Sequence, residues 1–198
     1  MFQIRIHGRG GQGVVSASEM LSIAAFEEGN HSQSFPSFGS ERMGAPVQAF
    51  ARIDNKKISL REPVMEPDLL IIQDPTLFHA INVFEGLKKD GYVLINSGKT
   101  IAELGIESAL EGFHKDHVVC IPATELAIKH IKRTTPNTVL LGGFAAMSDS
   151  LKLEALHTAI GKKFKGKVGE ANINAATAGY QAALAILEAN ANSTPEEN

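Results

Sequence analysis

The chain has 198 residues, 43% hydrophobic and 21% charged, with 19 basic against 22 acidic side chains and a net charge of −3. That length can bury a core as one domain without staples, and the acidic balance argues against a nucleic-acid binder. No apolar run nears the ~18 residues of a membrane span, and the lone Cys120 can hold neither an iron–sulfur cluster nor a disulfide. The N-terminus shows no secretion signal and runs directly into a strand, so the expected location is the cytoplasm.

Residues 2–7 are predicted as a short strand, followed by the glycine loop Gly8-Arg9-Gly10-Gly11-Gln12-Gly13 and a helix opening at Val14. Val14, Ala17, Leu21, Ala24 and Ala25 share one face of that helix, the spacing of a helix packed on a sheet. Gly29-Asn30 ends it. A second strand is expected over residues 31–35, followed by a loop dense in Ser, Gly and Pro from Pro36 to Pro46. Residues 47–53 alternate in polarity and, with Asp54-Asn55 as a turn, are expected to pair with residues 57–60 as a hairpin.

Leu69-Leu70-Ile71-Ile72 reads as a buried parallel strand. Asp74-Pro75 supplies an N-cap and first helical position for a helix expected to run to about Lys89. Strands follow at residues 92–96 and 118–121, with a short helix over 100–112 between them and another over 124–132. The last third is helical, over residues 137–147, 151–164 and a final segment carrying Ile173, Ala176, Tyr180, Leu184 and Leu187 on one face. The fold class expected is α/β: a three-layer α/β/α sandwich with a Rossmann-like, mostly parallel sheet, an added β-hairpin and a helical C-terminal third. Residues 1–190 are assigned to one domain and residues 191–198 to a disordered tail.

Gly8, Gly10 and Gly13 match the dinucleotide pattern G-x-G-x-x-G. A dinucleotide site also needs an acid after the second strand, or an arginine for a 2′-phosphate. The second strand ends Gln33-Ser34-Phe35, and Glu27 and Glu28 fall in the last turn of the first helix, so NAD is disfavoured. This loop is no ATP-type P-loop, because it carries no Gly-Lys-Ser/Thr. Arg9, Gln12 and the helix end still point to an anion. The second loop, which contains Ser40, Glu41, Arg42 and Gly44, is expected to meet the first at the carboxyl edge of the sheet. Glu41 is read as holding that loop's shape, and Arg42 equally as a loop residue or as a second cation facing the anion.

Together these motifs resemble the gamma subunit of the 2-oxoacid:ferredoxin oxidoreductases, the pyruvate/2-ketoisovalerate branch in particular. The resemblance rests on His7-Gly8-Arg9-Gly10-Gly11-Gln12-Gly13, on Phe38-Gly39-Ser40-Glu41-Arg42-Met43-Gly44-Ala45-Pro46-Val47 followed by Ala49-Phe50-Ala51-Arg52-Ile53, and on Pro67-Asp68. Pro136-Asn137-Thr138 with Leu140-Leu141-Gly142 extends it, so that it covers nearly the whole chain in order. Gly44-Ala45-Pro46 looks like the pyruvate form rather than the paired glycines of the 2-oxoglutarate and indolepyruvate branches.

The resemblance implies a complex that converts a 2-oxoacid and coenzyme A to acyl-CoA, CO2 and reduced ferredoxin. It places thiamine diphosphate, with its Mg ion, between alpha and beta subunits, and 4Fe-4S clusters on the beta and delta subunits. The gamma chain is then an assembly subunit with no catalytic residue or metal ligand of its own and no complete active site. Coenzyme A is its shared ligand, held by Gly8, Arg9, Gly10, Gly11, Gln12, Gly13, Ser40, Glu41, Arg42 and Gly44. Expected partners are the alpha, beta and delta subunits and ferredoxin, with no nucleic acid and no membrane. Two other readings stay open: a stand-alone Rossmann-type nucleotide-binding oxidoreductase, and a pure assembly subunit whose loops touch only protein. A gamma-like subunit for indolepyruvate or 2-oxoglutarate is a further variant.

Four other features are weighed. His114, His117 and Cys120 lack a fourth zinc ligand, so a metal site is disfavoured. His7 is read as structural ahead of a catalytic base. The basic run Lys162–Lys167 is read as a solvated helix end ahead of a phosphate or ferredoxin patch. Gly142-Gly143 inside a helix is expected to admit a neighbouring subunit or ligand.

Overall fold

The structure is a computed structural model that describes residues 1–37 and 43–192. Its elements are β1 (Phe2–Arg9), α1 (Val14–Glu27), β2 (His31–Pro36), β3 (Pro46–Asp54), β4 (Leu69–Ile72), β5 (Tyr92–Asn96) and α2 (Ile101–Leu104). After them come β6 (Val118–Ile121), α3 (Ala123–Ile131), α4 (Asn137–Met147), α5 (Leu153–Lys163) and α6 (Gly166–Asn192). Residues 191 and 192, assigned to the tail, continue α6; the remaining tail residues, 193–198, lie outside the described residues. Among the described residues no helix is long and apolar enough to cross a membrane.

One six-stranded sheet in the order β2-β3-β1-β4-β5-β6 organises the chain. β1, β4, β5 and β6 are parallel neighbours, whereas β3 runs antiparallel to both β1 and β2. Strand β4 and residues Val93 to Ile95 of β5 are apolar because both of their faces are covered. Leu69, Ile71 and Leu94 pack with α1, α3, α4, α5 and α6 on one side. On the other, Leu70, Ile72, Val93 and Ile95 meet Leu77, Val83, Ile106 and Leu110, which come from short turns. The sandwich therefore has three layers, one of them a thick helical layer and the opposite one thin.

Two local expectations are corrected. The hairpin does not join residues 47–53 to residues 57–60: β3 is paired on both edges, with β1 and β2, and has no free edge to offer. Instead the chain after Asp54 crosses the sheet face, where buried Arg52 donates to the carbonyls of Glu62 at 2.7 Å and Pro63 at 3.4 Å.

Nor does a helix run to Lys89. Asp74 caps only a single 3-10 turn, Pro75–His79. The cause is Arg5, whose guanidinium lies buried on β1 and takes the carbonyls of Val83 and Glu85 as acceptors, with that of Val64 at 3.3 Å. Carbonyls turned toward a buried cation are lost to an i→i+4 ladder.

Glycines also set the helical layer. A Cβ on Gly142 of α4 would fall 1.8 Å from the Ala176 carbonyl of α6, and one on Gly179 of α6 would fall 1.9 Å from the Val139 carbonyl of α4. Gly143 faces Leu94 and Ile121. The Gly142-Gly143 pair thus admits the chain's own α6 and sheet, and not a neighbouring subunit.

Candidate functional site

β1 ends in the glycine loop, and α1 starts from Gly13 with no side-chain cap. Gly11 and Gly13 take positive φ, 95° and 75°, which disfavours any residue with a Cβ. Gly8 does not, but its missing Cβ lets Val14 approach: an added carbon would sit 2.6 Å from Val14 Cγ2. Gly13 likewise gives room to the start of α4, since a Cβ there would lie 2.5 Å from Asn137 Nδ2. The loop is a tight turn that brings two helix N-termini to one edge of the sheet, where their backbone N–H groups favour an anion.

The second loop does meet the first. Gly10 N–H donates to the Ala45 carbonyl at 2.9 Å, and Gly44 N–H donates to the Gly10 carbonyl at 3.1 Å. Gly10 also forms an isolated bridge with Met43. β3 pairs with β1 from Pro46 opposite Arg9, so residues 43–45 of the second loop lie beside the glycine loop at the carboxyl edge of β1. Gly44 is exposed with φ of 79°. Ser40, Glu41 and Arg42 lie outside the described residues.

Arg9 works as a clasp within this site. Its Nη1 donates to the Gly44 carbonyl at 3.0 Å, its Nη2 to Thr76 Oγ1 at 2.8 Å, and its Nε lies 3.2 Å from Asp74 Oδ2. Gln12 completes the clasp: its Oε1 accepts from the Arg9 N–H at 2.7 Å and its Nε2 donates to Asp74 Oδ2 at 2.9 Å. Burial alone would raise the Asp74 carboxyl, but hydrogen bonds from Thr76 and Gln12 and the Arg9 charge hold it below the ordinary carboxylate range. Asp74 stays ionised and offsets the Arg9 charge, so the site's net pull on an anion comes from its backbone N–H groups.

Asp74 and Thr76 are site residues that sequence reasoning missed, having read Asp74 only as a helix cap. It does cap, through Oδ1 to the Thr76 N–H at 3.0 Å. Its second role follows from β4 lying beside β1. Below the loop, Asn96 is fully used, joining the Gln73 carbonyl to Thr124. Gln73 packs against Gly8, wholly buried, and its side-chain amide has no partner among the described residues.

His7 is a buried structural group: its Nε2 accepts from Arg5 Nε at 3.0 Å. Burial, and then the Arg5 charge, lower its pKa to about 3. His114 and His117 do not assemble a metal site with Cys120; no cluster of metal-ligating residues occurs among the described residues. Burial pushes the Cys120 thiol up to about 11, which keeps it protonated and a poor nucleophile.

The geometry also bears on a dinucleotide. In a Rossmann sheet β2 lies next to β1 and delivers the ribose-binding acid. Here β3 intervenes, putting the end of β2 two strands, roughly 9–10 Å, from β1. Glu27 is paired with Lys162, and Glu28 accepts from the Lys152 N–H at the far end of α1.

The fold and site define an α/β domain of a distinct kind, with a glycine loop and an antiparallel hairpin loop joined at one sheet edge. The sequence profile described as "Pyruvate ferredoxin/flavodoxin oxidoreductase" matches residues 3–182, and the chain belongs to that family. It is 46% identical over 184 residues to pyruvate synthase subunit PorC of Methanocaldococcus jannaschii, covering 93% of this chain and 98% of that one. The "Pyruvate/ketoisovalerate oxidoreductases common subunit gamma" of Pyrococcus furiosus is 41% identical, over 91% of this chain and 96% of the relative. Among solved structures, the pyruvate oxidoreductase subunit PORC of Thermotoga maritima superposes with a TM-score of 0.77 at 38% identity, covering 91% and 96% of the two chains.

Proposed function

We propose that this chain is the gamma subunit of a pyruvate-type 2-oxoacid:ferredoxin oxidoreductase, in which it contributes to assembly and binds coenzyme A. On this reading the complex cleaves a 2-oxoacid oxidatively with coenzyme A. The thiamine cofactor and its Mg ion belong to alpha and beta subunits, and the 4Fe-4S clusters to beta and delta subunits that pass electrons to ferredoxin. Near full-length similarity to gamma subunits of that reaction supports the assignment.

The observation that carries the coenzyme A reading is the double loop at the carboxyl edge of β1. Gly11 and Gly13 free backbone N–H groups at the uncapped start of α1, and the Arg9 clasp ties the glycine loop to Gly44 and to Asp74 and Thr76 after β4. A pyrophosphate is the anion such an arrangement suits. Ser40, Glu41 and Arg42 would extend the second wall.

In the assembled complex, Arg9→Ala should raise the KM for coenzyme A about tenfold, the loss of ~1.4 kcal/mol, while the KM for the oxoacid changes little. An unchanged coenzyme A dependence would remove the loop from the site. Affinity purification of the full chain from its host should recover subunits carrying thiamine diphosphate and iron–sulfur clusters; recovery of an active enzyme made of this chain alone would overturn the assignment.

A further inference from the structure

A cleft with a basic rim lies beside the glycine loop. The loop between α3 and α4 and the start of α6 enclose a cleft of about 600 Å³, within the range of small-molecule sites. Its rim carries His130, Lys132, Arg133 and Lys167, and no aspartate or glutamate lines it. In a chain of net charge −3, that is a local concentration of positive charge.

The neighbouring basic residues are already committed. Lys162 pairs with Glu27 and Lys163 with Glu19, both on α1. Arg133 and Lys167 have no acidic partner among the described residues. Lys132 occupies the left-handed region at φ 57°, the one described residue other than glycine with positive φ, and it closes α3 at the cleft's edge. Such a backbone costs on the order of 1 kcal/mol. The starts of α4 and of the 27-residue α6 both border the cleft, through Asn137 and Lys167.

The floor and wall say more about the ligand. Asn137 and Asn172 are buried polar residues of the lining. Ile131, Phe164 and Val168 supply an apolar side. Asn137 Nδ2 also donates to the Gly13 carbonyl at 3.4 Å, so one residue of the lining is tied to the glycine loop.

We infer that this cleft is a binding site for a phosphate monoester carried on a small apolar or aromatic body. A monoester holds close to two negative charges at neutral pH, matching the rim's Arg133 and Lys167, while Lys132 Nζ donates to the Lys129 carbonyl at 3.1 Å. The concave shape and apolar wall favour a small molecule over the acidic face of a protein. The assignment does not depend on coenzyme A at the glycine loop. The phosphate could belong to that cofactor's ribose or to a separate molecule.

Titration of the full chain with adenosine 3′,5′-bisphosphate, followed by calorimetry, tests the site. Binding should weaken at least tenfold in Arg133→Gln/Lys167→Gln and stay unchanged in Lys57→Gln, which neutralises an exposed lysine remote from the cleft. In the assembled complex, a KM raised by the double substitution for coenzyme A but not for dephospho-coenzyme A assigns the phosphate to coenzyme A. Unaltered coenzyme A kinetics beside lost bisphosphate binding assigns a separate ligand. Equal binding by the double variant and the parent, or no binding of the bisphosphate at millimolar concentration, overturns the inference. So does a double variant whose sole defect is slower electron transfer to an acidic ferredoxin.

Discussion

Gly142→Ala should destabilise the full-length chain by about 3 kcal/mol, the upper range for forcing a methyl into a filled core. The added carbon would be placed 1.8 Å from the Ala176 carbonyl, and backbone cannot swing aside as the tip of a side chain can. Gly179→Ala meets the Val139 carbonyl at 1.9 Å and should cost a similar amount. The helices would have to separate, opening the contact that holds α6 against the layer above the sheet. Gly161 in α5 is the control: nothing lies within 4 Å of its missing Cβ. Alanine there should stabilise the chain by about 0.5–1 kcal/mol through helix propensity alone. Denaturant midpoints at constant slope give all three values. Equal midpoints for Gly142→Ala and Gly161→Ala would mean that α4 and α6 do not cross at these glycines.

Those glycines show what a single sequence conveys and what it hides. Two glycines in a helix announce a close approach, but not by what; the partner lies more than thirty residues further on. Elements governed by local chemistry were legible. The buried face of α1, the Asp74-Pro75 cap and the apolar run of β4 follow from spacing and capping alone. Elements governed by distant partners were not. Residues 75–89 have the composition of a helix, yet Arg5, some eighty residues earlier, draws the carbonyls of Val83 and Glu85 out of any helical ladder. The turn at Asp54 likewise suggested a hairpin, but β1 already holds the edge that hairpin needs.

The candidate site divides the same way. The two loops were recognisable by composition, and their meeting followed from both leaving one end of the sheet. The strand order decides the rest. With β4 beside β1, Asp74 and Thr76 come to Arg9 and convert an apparently free cation into a clasp. With β3 between β1 and β2, the second strand is carried away from the place where a dinucleotide would need it. No periodicity encodes that order. The basic run at the end of α5 divides too: Lys162 and Lys163 answer the acids of α1, and Lys167 is left to the cleft.

His7 should make the chain acid-sensitive well above the pH at which its carboxylates protonate. Its ring is buried, and Nε2 is committed as acceptor of the Arg5 Nε–H, so a proton there would lose that bond and face the guanidinium. On β3, the neutral Gln48 amide lies 3.5 Å from Nδ1 and offers no compensating charge. The folded pKa is lowered to about 3, while the unfolded ring titrates near its ordinary value of 6.5. The sign follows from proton counts: between these values the unfolded chain holds a proton that the folded chain does not, so stability falls as pH falls. Nothing is lost above pH ~6.5; the loss reaches about 2 kcal/mol at pH ~5 and tends to about 4–5 kcal/mol near pH ~3. His157 is also lowered by burial, so His157→Gln is measured alongside to remove its share. His7→Gln keeps an acceptor for Arg5 without the titration, and should flatten the dependence of unfolding free energy on pH between about 6.5 and 5. A His7 ring resonance that titrates near 6.5 in the folded chain would show the imidazole to be free of Arg5, and the sheet face around it to be organised differently.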